Sequence, residues 1–325
     1  MDPECTLTVR SSADFIAVTP YLLSFHPDDS IVVIGTVGSR VTFAARHDLL
    51  APDHAGVTSI ARLVAAQRLQ EAAVLGYGRP EAVIRTLEVL GDELVRHGVP
   101  VRDQLRITDG RWWGLGCTSP TCCPPEGKPV PGPDSAVAAS AIFQGQVALP
   151  NRAALIAQVA PAEGEERERM ADLTVDVCTR FMAAGWSGPA LEKAGRRLVR
   201  RAERRYAAGR ALTPEEIAEL GVALAHPAVT GHTLDNSRDE PWRIALWTDV
   251  TRRVDPFWVP GPACLLAYVA WRAGMGALAR VAIDRALVQD PDHRLSRTFD
   301  RLLAAGISHD AVANLKPPRA RSSRR

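Results

Sequence analysis

Cys117, Cys122 and Cys123 fall within one seven-residue stretch of a chain that has six cysteines in all. Thiols this close can share a soft metal ion, cycle through a disulfide or supply a nucleophile. A zinc site of the Cys₃His type needs one further ligand, for which His26 is the candidate. Two features argue the other way. Adjacent residues such as Cys122 and Cys123 are expected to point apart, and no second Cys-x₂-Cys knuckle exists in the chain. The plain alternative packs one thiol inside and the other under the turn Pro124-Pro125-Glu126-Gly127. The wider segment Arg111 to Gly127 also carries Trp112 and Trp113, two of the seven tryptophans. Tryptophan is amphipathic and favours half-buried contact positions.

Other polar residues extend the candidate chemistry. His26 precedes Pro27, Asp28, Asp29 and Ser30 at the entry to an apolar run, where a histidine oriented by a carboxylate could act as a general base. Asp28, Asp29 and Ser30 are equally turn residues that bond to local backbone. Arg46 and Asp48, two apart on a β-rich run, share one face and suit an ion pair or a ligand clamp. The candidate ligand site is therefore His26, Asp29, Arg46, Asp48, Trp112, Trp113 and Glu126, with Cys117, Cys122 and Cys123 as candidate metal ligands. Catalytic residues cannot be assigned. Gly35-Thr36-Val37-Gly38 leads into a second strand, so no helix start is available for a phosphate, and Walker, Gly-x-Ser-x-Gly and His-Glu-x-x-His patterns are missing.

A third feature is cationic. Arg196, Arg200 and Arg204 form one stripe at four-residue spacing, and Arg197, Arg201 and Arg205 the next, with Leu191, Leu198, Ala202 and Tyr206 opposite. Such a face suits phosphates or an acidic protein partner. The internal alternative is neutralisation by Glu163, Glu165, Glu166 and Glu168 of the preceding helix. Aromatic residues are not interleaved for base stacking, which favours a protein partner over nucleic acid.

The elements that position these groups change character along the chain. Ser30 to Val37 and Arg40 to Ala45 read as a β-hairpin across Gly38-Ser39. His54 to Leu69 and Pro80 to His97 read as helices around a buried strand at Ala72 to Tyr77. Val99 to Arg102 and Leu105 to Thr108 follow as strands, and Asp109-Gly110 turns the chain into Arg111 to Leu115, which sends Trp112 and Trp113 to opposite faces of the sheet. From Arg152 onward the pattern is helical, with Thr213 capping a helix that begins Pro214-Glu215-Glu216. Leu266, Gly274, Ala279, Ala286 and Pro291 stand at the spacing of one tetratricopeptide-type repeat, with a further helix over Leu295 to Leu303.

These elements predict an α/β N-terminal domain, a mixed sheet with flanking helices, over residues 1–160, then an all-α helical domain over 161–311. The final residues 312–325 read as a disordered basic tail, since Lys316, Arg319, Arg321, Arg324 and Arg325 stand there without an acid. With 325 residues, 46% hydrophobic and 23% charged, the composition is that of an ordinary soluble protein. A charged lead into an apolar stretch is missing, as is an apolar run long enough to span a bilayer, so a cytoplasmic protein without membrane contact is expected. Unevenly spread cysteines suit a reducing compartment.

The whole chain also resembles a known family. The opening Thr19-Pro20-Tyr21-Leu22-Leu23-Ser24-Phe25-His26-Pro27-Asp28-Asp29-Ser30, then Ala45-Arg46-His47-Asp48-Leu49, then the tryptophan pair and Cys-Cys-Pro-Pro-Glu-Gly, look like the actinobacterial proteins of the domain of unknown function 4192 family. The resemblance implies an actinobacterial source and a cytoplasmic setting, and no activity. Two positions depart from the family pattern: Ser24, where glycine is usual, and Gly114-Leu115, where a serine and a larger residue are common.

Together these readings favour a binding or scaffold protein with a helical docking surface and a Trp/Cys-lined site. The rivals are a small-molecule enzyme or zinc protein centred on the Cys-Cys-Pro-Pro-Glu-Gly segment, and a nucleic-acid-associated protein using the arginine helix.

Overall fold

The computed structural model describes residues 8–49, 54–185, 187–307, 309 and 312. The basic tail proposed for 312–325 lies outside the described residues, Val312 apart. The chain divides into two compact units, Met1–Leu155 and Ile156–Arg325.

The first unit opens with α1 (Ser12–Leu23), which Ser11 and Asp14 start with a capping box. Ser24 ends it in the left-handed region at φ 64°. A side chain strains that conformation, and glycine would relieve it. Strands β1 (Ser30–Val37) and β2 (Arg40–Asp48) form the expected hairpin. Next come α2 (His54–Ala65), β3 (Glu71–Tyr77), α3 (Pro80–Arg96) and β4 (Val101–Thr108). Where two strands were predicted between Val99 and Thr108, one continuous strand forms, because parallel pairing with β3 carries through Asp103 and Gln104. Then β5 (Arg111–Gly114), β6 (Lys128–Pro129), α4 (Ala136–Phe143) and α5 (Arg152–Ala157) complete the series.

The mixed sheet has the order β2-β1-β3-β4-β5-β6, with only β3 and β4 parallel. That pair is joined by α3, as a parallel connection requires. One face of the sheet packs Ile31, Val33 and Val74 against Val57 of α2 and Leu87 and Leu90 of α3. On the other face α1 is tied to β4, where Ser12 Oγ donates to Asp103 at 2.8 Å.

The second unit is helical: α6 (Glu165–Ala183), α7 (Pro189–Ala207), α8 (Pro214–Leu224), α9 (Pro227–Asp235), α10 (Trp242–Arg253), α11 (Pro260–Arg272), α12 (Gly276–Gln289) and α13 (Arg294–Ala304). Thr213 and Glu216 form the capping box that the sequence predicts for α8. The hairpin of α11 and α12 is close-packed through Ala267, Ala270, Ala279, Ala282 and Ala286, all without exposed surface, since small side chains let two helices approach. Among the described residues no helix is long and apolar enough to cross a membrane.

Candidate functional site

The segment after β5 brings the three thiols together. The Sγ atoms of Cys117, Cys122 and Cys123 all lie within 4.8 Å of one another. The expectation that adjacent cysteines point apart is overturned here, and the cause is local. Ser119 O accepts from the amides of both Cys122 (3.1 Å) and Cys123 (2.7 Å), so the backbone turns tightly and both side chains emerge toward Cys117. Cys117 and Cys122 are exposed and Cys123 is half-buried. The Cys117 thiol is held below its ordinary value, first by a hydrogen bond with Cys123 and then by the Ser119 backbone, with a smaller contribution from the Lys128 charge. Cys123 is pushed up to about 11, mainly by Cys117. Cys117 therefore loses its proton before Cys123, and the negative charge it then carries opposes ionisation of Cys123.

The frame around the thiols is built from the two tryptophans. Trp112 is buried, with the Lys128 ammonium 5.2 Å from its ring. Trp113 faces the other way, as the strand period predicts, and donates from Nε1 to Pro125 O at 3.0 Å. Gly127, at φ 75°, passes under the Trp113 ring, where a Cβ would stand 2.5 Å from Cζ2. Arg111 closes the loop by donating to Glu126 O (3.0 Å) and Gly127 O (2.7 Å). Glu126 itself is exposed and serves the loop through its backbone. Arg106 lies on the outer face of Trp113, its guanidinium 3.8 Å from the ring. Arg106 and Trp113 also line a groove of about 680 Å³ with Glu88, Asp92, Gln104 and Leu115. Arg106 and Lys128 carry no motif, and only their strand register could have marked them.

The remaining candidates sit elsewhere in this unit. Ser30 is in register with Asp48 on one side and Tyr77 on the other. There Arg46 pairs with Asp48 and donates from Nε to Ser30 Oγ at 2.8 Å. Asp29, at φ 39°, accepts the Leu49 amide at 2.8 Å through its carbonyl. His47, on the opposite face of β2, is held below its usual pKa by burial and by Arg46. His26 is exposed, its amide bonded to Leu149 O at 2.9 Å. It does not join the thiol cluster, so the fourth zinc ligand proposed from sequence is not brought there. Asp29, Arg46 and Asp48 are gathered at one end of the β1–β2 pair, and none of them, nor His26, lines the groove at Trp113. The seven candidate ligand residues therefore do not form one concave site.

On α7 the expected acidic partners are replaced. Arg196 pairs with Glu192, while Arg201 (2.9 Å) and Arg205 (3.3 Å) reach Glu216 of α8. Glu166 of α6 binds Arg253 instead. The helix packs on α8, α9 and α10. Arg197, Arg200 and Arg204 remain exposed.

Comparison with curated proteins and with solved structures gives no match. Residues 13–309 match the family model described as Domain of unknown function (DUF4192), and by this extent of match the chain belongs to that family.

Proposed function

We propose that this is a binding protein whose α/β unit holds a thiolate-coordinated metal ion, zinc, at Cys117, Cys122 and Cys123. The observation that carries the reading is the convergence of three Sγ atoms within 4.8 Å. Zinc–sulfur bonds of about 2.3 Å place tetrahedral thiolates about 3.8 Å apart, so small side-chain adjustments suffice to close on the ion. Three protein ligands leave a fourth position for water or an incoming ligand, on the side where Cys117 and Cys122 are exposed. The Ser119 backbone amide and, less strongly, Lys128 favour the thiolate form of Cys117 that a metal needs. A reducing cytoplasm, as the actinobacterial resemblance implies, keeps such thiols available. The helical unit, with its tetratricopeptide-like hairpin of α11 and α12, supports protein docking in the same reading.

Metal analysis of protein purified without chelator should find about one zinc per chain. Thiol titration should then show these three cysteines protected until a chelator is added. Cys123→Ser should lose most of the zinc while keeping its helical circular dichroism. Because the thiols must lose protons to bind, zinc affinity should fall as pH is lowered. Reactivity of all three thiols that is the same with and without zinc would sink the proposal.

A further inference from the structure

Helix α7 divides its cations into two classes. Arg196, Arg201 and Arg205 are neutralised inside the helical unit by Glu192 and Glu216. Arg197, Arg200 and Arg204 are exposed and make no ion pair among the described residues, and the exposed Lys193 continues their line. Positions 193, 197, 200 and 204 alternate steps of four and three, which keeps them on one face of a helix. At 1.5 Å per residue the stripe is about 16 Å long. Its opposite face is buried through Ala194, Gly195, Val199 and Ala202. The nearest acids of the helix are engaged, Glu192 with Arg196 and Glu203 with Arg243. The stripe is thus a row of four free cations in which no acid and no apolar residue intervenes.

We infer that this stripe binds the phosphodiester backbone of double-stranded nucleic acid without reading its sequence. An acidic protein partner would need an apolar centre for a stable interface, and the stripe offers none. Phosphate binding needs only charge and hydrogen-bond donors, and three of the four residues are arginines, whose planar forks match phosphate oxygens. A span of about 16 Å covers about five base-pair steps of a duplex at 3.4 Å each. Single strands are a poorer fit, because no aromatic side chain lies on the stripe to stack on bases; Tyr206 of the same helix is half-buried with its hydroxyl bonded to Asp249 at 2.6 Å. The charge was legible in the sequence, but which arginines are free was not.

The test is fluorescence anisotropy of the full chain with a labelled duplex of arbitrary sequence, over a range of salt. Four phosphate contacts give a log–log salt slope of about −3.6. The triple variant Arg197→Gln, Arg200→Gln, Arg204→Gln should lower that slope by about three and weaken binding more than about tenfold at 0.1 M salt. A control with the same loss of charge elsewhere, Arg85→Gln, Arg167→Gln, Arg301→Gln, should bind within about twofold of the parent. Binding should be the same with and without chelator, which separates this surface from the thiol site. An equal loss in both triple variants, an unchanged salt slope, tighter binding to a single strand, or binding to polyglutamate but not to the duplex would each overturn the inference.

Discussion

Ser24 shows how much one backbone conformation can explain. Its φ of 64° closes α1 in the left-handed region, with the Ser24 amide donating to Tyr21 O at 3.3 Å. Any side chain costs free energy there, and glycine relieves the strain. Ser24→Gly should therefore stabilise the protein by about 0.5–1 kcal/mol, read as a higher denaturation midpoint in urea. A lower midpoint would show that the serine side chain makes a compensating contact. The role of this residue is thus helix termination. Arg46 and Asp48 were legible as a pair for a simple reason: a period of two places both on one face, and opposite charges close the distance. The cysteines were misread because spacing alone carries no information about a turn. Ser119 accepts two amides, and that geometry reverses the direction expected of Cys122 and Cys123.

At the scale of elements, the loop between β5 and β6 is held by a tryptophan, not by its cysteines. Trp113 bonds Pro125 O and covers Gly127, which combines a positive φ with a close approach to the ring. Gly127→Ala meets both obstacles at once, backbone strain and a clash with the indole. It should cost about 2–4 kcal/mol, change Trp113 fluorescence and weaken zinc binding. Unaltered fluorescence with full zinc retention would show that the loop is positioned by other contacts. Besides β6 and α4, for which the sequence reading had no element, α1 and the undivided β4 escaped it for physical reasons. In α1 the residues Phe15, Ile16, Ala17 and Val18 are all buried, so no amphipathic stripe betrays the helix, and Pro20 inside it reads as a breaker. Its capping box, Ser11 with Asp14, was the available signal. The long β4 was split in two because its central residues are polar, whereas hydrogen bonds to β3 disregard side-chain polarity.

For the molecule as a whole, burial sorts the thiols into those that can react and those that cannot. Cys264 of α11 has no exposed surface, contacts Ser296 Oγ at 3.1 Å and is pushed up to about 12 by burial. In metal-free protein an alkylating reagent should modify Cys117 and Cys122 at once, and Cys264 only at the rate of global unfolding. Peptide mapping by mass spectrometry distinguishes the two; rapid native labelling of Cys264 would contradict the packing of α11 against α13. By itself the sequence determined the fold class, the β1–β2 hairpin, the opposite facing of the tryptophans and the cap of α8. Each depends on residues within one or two turns or strands, whose period and capping chemistry act locally. Only the tertiary structure decided that three thiols meet, that His26 stands apart from them, and which arginines of α7 stay free. The thiols meet through a local turn at Ser119 whose geometry residue spacing does not specify, whereas the place of His26 and the choice of free arginines are set by packing between segments far apart in the chain.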